Sequence, residues 1–204
     1  MAALKVAQSD YVQWAIDHSY INNDPSERDV DLITRRFNAM GFAAIQSSVI
    51  TASNLFLDLT ASPITPSYFE TIRDEVTAEL DLAGGAWSQR VLSRMVTLDS
   101  GLRETMRLWG FVSRGVLKEV VSKDGVTLPD GTHLPRGVKV GIHQSALHRD
   151  EDIYPEASKF LPLRFCTKTE EPVNNTPDGH GRRGAALVTT SATWLGFSHG
   201  KHAW

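Results

Sequence analysis

The stretch ALHRDEDIYPEASKFLPLRF, residues 146–165, decides how this chain reads. An apolar start leads into His148-Arg149-Asp150, then Tyr154-Pro155, then Phe160-Leu161-Pro162-Leu163-Arg164-Phe165. The run belongs to an irregular tail rather than to a helix or strand. Downstream, residues 167–183 are polar and rich in Pro, Asn and Gly, as in an exposed loop, and the chain closes on FSHGKHAW, residues 197–204.

Upstream of it lies a small antiparallel sheet. Val116 to Val121 is a β-branched run, Asp124-Gly125 and Asp130-Gly131 are hairpin signals, and Val138 to Ile142 follows the turn at Pro135-Arg136-Gly137. Residues 1–110 read as helical. Asp10 to Ser19 forms a short amphipathic segment. Asp24 and Pro25 are placed to cap and open a long helix over residues 26–60, ended by Ser62-Pro63 and loosened at Gly41. A third helix opens at Thr65-Pro66, runs to Leu82 and stops at Gly84-Gly85. A fourth carries Leu92, Met95, Val96, Leu98, Leu102, Met106 and Leu108 at helical spacing. Helices, then a small sheet over residues 111–145, then an irregular tail over 146–204 predict an α+β, mainly α fold.

Composition narrows the classes. The 204 residues include 21 Lys+Arg and 24 Asp+Glu, a formal net charge of -3, which gives no reason to expect nucleic acid as a partner. One cysteine, Cys166, excludes an internal disulfide scaffold. The N-terminus reaches charged residues too soon for a signal peptide. The uncharged run from Phe37 to Leu57 carries Asn38, Gln46, Ser47, Ser48, Thr51, Ser53 and Asn54, and reads as a buried helix rather than a membrane segment.

Three patterns carry little on their own. GHGRRG, residues 179–184, lacks the preceding strand that a dinucleotide loop needs. His199 and His202 have metal-ligand spacing, but no Cys, Asp or Glu lies near enough in sequence to complete a tetrahedral site, and His143 and His148 are similarly unsupported. Glu104 and Arg107 share a helix face three residues apart, which by itself predicts only a solvated ion pair.

Taken in order, Glu104-x-x-Arg107, residues 146–165 and the closing FSHGKHAW resemble the C-terminal half of a cytochrome P450, a haem-thiolate monooxygenase, of the kind found in filamentous-fungal secondary metabolism. The resemblance runs from about Asp10 to Trp204. It implies that Glu104, Arg107 and Arg164 form the family's buried structural triad. The helix of residues 26–60 would then be the family's helix I, with Gln46 and Ser47 at the oxygen-activation positions. Arg114 would pair a haem propionate, with Phe111, Val112 and Ser113 bordering the substrate pocket. Phe197, Gly200 and His202 match the haem loop, where Gly200 permits the turn and His202 faces a propionate.

By the same resemblance the cofactor is haem b, and the partners in the intact enzyme are a lipophilic small-molecule substrate and a P450 reductase. Intact relatives usually sit at the endoplasmic-reticulum membrane; the sequence assigns this chain no location. The ligand position falls on Trp204, where the family has cysteine. A thiolate supplies the electron push that favours O–O cleavage, and an indole N–H is a donor only. The resemblance implies a P450-type haem monooxygenase oxidising a lipophilic small molecule in a secondary-metabolite pathway, present as a partial domain over residues 1–204; the alternative is a truncated, non-catalytic remnant of such an enzyme, and the reading outside the family is a helical α+β domain of unknown binding function.

Overall fold

A computed structural model describes residues 10–61, 66–111, 113–166, 186–201 and 203. The chain forms two compact units, residues 1–50 and 51–204.

In the first unit, Asp10 caps helix α1 (Tyr11–Ile21), its Oδ1 accepting from the Gln13 N–H at 2.9 Å. The predicted helix start at Pro25 is corrected. Asp24 caps only a 3-10 turn, Pro25–Arg28, and helix α2 (Val30–Gly41) begins after Asp29, whose Oδ1 accepts from the Leu32 N–H at 2.9 Å. Asp29 is extended, with φ -63 and ψ 126, so a second cap interrupts what the pattern reads as one helix. Tyr11 stacks on Phe37 with ring centroids 6.2 Å apart, Arg28 Nε donates to Ser19 Oγ at 3.2 Å, and Arg36 pairs with Glu27, which together bind α1, the turn and α2.

After Gly41 the helix widens into a π-helical turn, Phe42–Gln46, and resumes as α3 (Ser47–Ala61). The reading of residues 37–57 as buried is also corrected. Phe37, Phe42, Ile45, Val49, Phe56 and Leu57 are all exposed. By length and composition, Val30–Ala61 is apolar enough to cross a membrane, and only 6% of its most apolar window is buried.

The second unit holds a core of Leu55 and Leu59 from α3 and Ile72 from α4 (Pro66–Leu82), packed against Phe69, Val76, Leu98, Leu102 and Phe160. Helix α4 ends as predicted at Gly84 and Gly85, with φ +63 and +81; the Gly85 N–H donates to the Leu80 carbonyl at 2.8 Å. The predicted fourth helix is split into α5 (Gln89–Leu92), capped by Ser88, and α6 (Val96–Trp109). Met95 occupies the cap position of α6 without a side-chain bond. Glu75 of α4 supplies what is missing: its carboxylate accepts from the Thr97 N–H at 2.9 Å and the Leu98 N–H at 3.1 Å.

Two small antiparallel ladders replace the single sheet expected. Strand β1 (Gly115–Glu119) pairs with β4 (Lys139–Ile142), and β2 (Val126–Thr127) with β3 (His133–Leu134). The register of β1 slips between Gly115 and Lys118, where Val116 has φ +54. Helix α7 (Gln144–Leu147) follows, capped by His143 Nδ1, and residues 148–166 are turns. The class is α+β, mainly α.

Candidate functional site

Helix α6 presents one face as a row of buried polar groups. Arg103, Glu104 and Arg107 are 3%, 0% and 1% exposed, so none can be a solvated surface pair. Arg107 grips Glu104 with a two-point fork, Nε to Oε2 at 2.7 Å and Nη2 to Oε1 at 2.8 Å. Arg164 Nε reaches the same carboxylate at 3.0 Å, and the Leu161 N–H donates to Oε1 at 3.0 Å. One anion thus faces two cations. The surplus charge is met by carbonyls: Arg107 donates to those of His148, Ala157 and Lys159, and Arg164 to those of Pro155 and Glu156. Desolvated ions survive only when every donor and acceptor is met, and this cluster meets that condition while pinning residues 148–164 to α6.

His148 carries the next link. Its Nε2 accepts from the Leu195 N–H at 3.0 Å, which requires the neutral ring with the proton on Nδ1. Burial is the main cause that pushes its pKa down to about 4, with Arg107, Arg103 and Arg149 adding positive charge nearby. The ring lies between Tyr154, edge-on at 6.4 Å, and Trp194, stacked at 6.3 Å. Tyr154 donates its phenol to the Thr193 carbonyl at 2.7 Å. Residues 193–195 are therefore held from the side of the 148–164 segment.

The loop that follows turns sharply. Ser198 and Gly200 have φ +66 and +84, the Ser198 N–H bonds the Leu195 carbonyl at 2.8 Å, and the Ala203 N–H bonds the Gly200 carbonyl at 3.0 Å. Phe197 is half-buried against Trp194, centroids 5.9 Å apart. His202 and Trp204 lie outside the described residues, as do Val112 and the GHGRRG stretch. Arg114 is exposed just before β1 and makes no ion pair with a described residue. Among the described residues no group of three metal-ligating side chains occurs.

A cavity of about 340 Å³ opens beside the C-terminal end of α6, lined by Asn54, Trp109, Ser113, Gln144, Ser145 and Arg149 among others, and neither Arg114 nor Phe197 borders it. Gln144 closes over two glycines there: a Cβ on Gly115 would stand 2.7 Å from its Oε1, and one on Gly110 3.4 Å from its Nε2.

The remaining positions fall in the first unit. Gln46 is exposed at the end of the π-helical turn. Ser47 is half-buried and its Oγ donates back to the Ala43 carbonyl at 2.6 Å. Wider turns of this kind recur at functional sites. Gly41 is its sign in the sequence.

These bonds join segments that lie far apart in the chain, and a family model, that of cytochrome P450, matches the sequence over residues 8–203. The chain belongs to the cytochrome P450 family. Among its relatives, the cytochrome P450 monooxygenase gloP of Glarea lozoyensis is 32% identical over 203 residues, covering 95% of this chain and 37% of that protein. The monooxygenases avaH of Aspergillus versicolor and fsoD of Humicola fuscoatra are 32% and 33% identical, covering 95% and 91% of this chain and 42% and 35% of their own. The chain thus spans well under half the length of these curated relatives.

The family implies haem. The donor set does not suit a thiolate-held haem. By the resemblance drawn from the sequence, the ligand position falls on Trp204, whose indole nitrogen offers no lone pair to a metal. The sole cysteine, Cys166, is engaged elsewhere: its Sγ lies 3.8 Å from the Val96 carbonyl at the start of α6, and burial pushes its thiol up, away from the thiolate. The residues present do not fit haem-thiolate ligation.

Proposed function

We propose that this chain is built on the scaffold of a haem monooxygenase that oxidises a lipophilic small molecule in a fungal secondary-metabolite pathway, drawing electrons from a P450 reductase. The observation that carries this reading is the Glu104 carboxylate shared by Arg107 and Arg164, which fastens the 148–164 segment to α6. Glu104, Arg107 and Arg164 are assigned a structural role. Arg114, Phe197, Gly200 and His202 are assigned as cofactor-facing positions, and Gln46 and Ser47 as oxygen-side positions.

A second reading rests on Trp204. With tryptophan at the ligand position and Cys166 occupied at α6, the chain keeps the scaffold and lacks the group that would make it an oxygenase. We propose that, as written, it does not oxygenate substrate. The test is to express the chain with added haem and record the reduced carbon monoxide difference spectrum. No thiolate-type Soret band is expected. Such a band, or turnover of a lipophilic substrate with a reductase, would overturn this second reading.

A further inference from the structure

The residue immediately before the triad makes bonds that the triad does not explain. Arg103 lies on α6 and is 3% exposed. Its carbon sits 3.9 Å over the centroid of the Trp194 ring and 4.8 Å from that of Phe165. Its Nη1 donates to the carbonyls of Ala186 and Thr189, the second at 2.8 Å. One turn earlier on the same helix, the Asp99 carboxylate accepts from the Leu187 N–H at 2.7 Å. Apart from the contact with Phe165, these cross more than eighty residues of sequence and fall on two short stretches, 186–189 and 194, which precede Phe197.

A guanidinium suits this position for a physical reason. Its flat faces stack on an indole while its edge donates in the plane of the ring, so one side chain holds a ring and several carbonyls at once. A lysine ammonium is a point charge on a flexible stem and can do only part of this. Trp194 is 1% exposed, is stacked on its other neighbour His148, and leads into Phe197 three residues later. Fixing Trp194 therefore fixes where the loop of residues 197–200 begins.

We propose that Arg103 is the positioning residue of the haem loop: it locks residues 186–195 onto α6 and so sets the place of Phe197 and Gly200, a task distinct from that of the Glu104 cluster, which holds residues 148–164. The name "haem loop" rests on the family reading above; the lock itself does not. For that reason the experiment needs no haem.

Amide hydrogen exchange is measured residue by residue on the 204-residue chain and on Arg103→Met and Arg103→Lys. In Arg103→Met, the amides of Leu187, Leu195 and Ser198 should exchange about tenfold to a hundredfold faster, the loss expected for charge-assisted bonds, while those of Leu55, Leu59 and Ile72 in the core change by less than about threefold. Arg103→Lys should fall between wild type and Arg103→Met. Equal acceleration of loop and core would mean a general stability role and would overturn the proposal, as would wild-type exchange at all three loop amides. If Arg103→Met does not fold, Arg103→Lys is read by the same comparison of loop with core. A thiolate-type spectrum from this chain would defeat the non-catalytic reading without touching this result, and exchange confined to the loop would stand whether or not haem binds.

Discussion

Arg164 Nε lies 3.0 Å from Glu104 Oε1 although sixty residues separate the two in sequence, and the carboxylate it meets is fully buried. Glu104 is the only acidic side chain paired with either Arg107 or Arg164 among the described residues. Neutralising it while keeping its shape would leave two guanidinium groups uncompensated. Glu104→Gln should therefore lower stability by about 3–5 kcal/mol, read as the shift of the urea midpoint at unchanged slope. A loss under about 1 kcal/mol would show that the cluster is worth no more than a surface pair.

Glu75 replaces a missing cap on α6 from another helix. Because it serves the N–H groups of Thr97 and Leu98 together with the Thr97 hydroxyl, Glu75→Ala should cost about 1–2 kcal/mol, the range of a lost N-cap. Arg94→Ala, which removes an exposed partner of Glu79 at 3.4 Å, should change stability by under about 0.5 kcal/mol. Thermal melts of the two variants side by side check the contrast, and equal losses would refute it.

Acid should weaken the fold through His148. In the unfolded chain this imidazole takes a proton near 6.5, whereas in the folded chain it waits until about 4. Between those values the unfolded state binds more protons, so stability falls as pH falls through that window and the effect is absent above it. His148→Gln retains a possible acceptor for the Leu195 N–H and cannot titrate. The difference between wild-type and His148→Gln stability should narrow or reverse in the variant's favour from pH 7 to 4. A constant difference across that range would remove His148 as the cause.

Gly196 and Gly137 separate crowding from backbone strain. A Cβ on Gly196 would meet the Trp194 ring at 2.4 Å, so Gly196→Ala must displace a ring that Arg103 and His148 both stack upon. It should cost about 1–3 kcal/mol, as overpacking does. Gly137 has φ +87 with nothing within 4 Å of its Cβ position, so Gly137→Ala should cost only the left-handed penalty of about 1–2 kcal/mol. The near-ultraviolet circular dichroism of the indoles should change in Gly196→Ala alone.

The helical N-terminal part, the hairpin turns at Asp124-Gly125 and Asp130-Gly131 and the stop at Gly84-Gly85 were legible because each depends on local backbone preference. The conformations follow from neighbours in the chain: Gly84, Gly85, Gly125 and Gly131 all adopt positive φ. Boundaries were less legible where two local signals compete. Asp24-Pro25 and Asp29 are both sound caps, and the sequence pattern alone selected the first, whereas α2 starts at the second. The break between α5 and α6 escaped because Leu92, Met95 and Val96 keep helical spacing across it.

The sequence by itself determined the family, through motifs whose order survives without coordinates. Only the tertiary structure decided what the polar face of α6 is for. Glu104 and Arg107 three residues apart describe a surface pair and a buried lock equally well. The difference is burial, together with carbonyls and an arginine that arrive from 41 to 60 residues away. Arg103 and Glu75 were invisible for the same reason: their partners, Trp194 and the first turn of α6, are neighbours only after folding, when desolvation makes each of those bonds count.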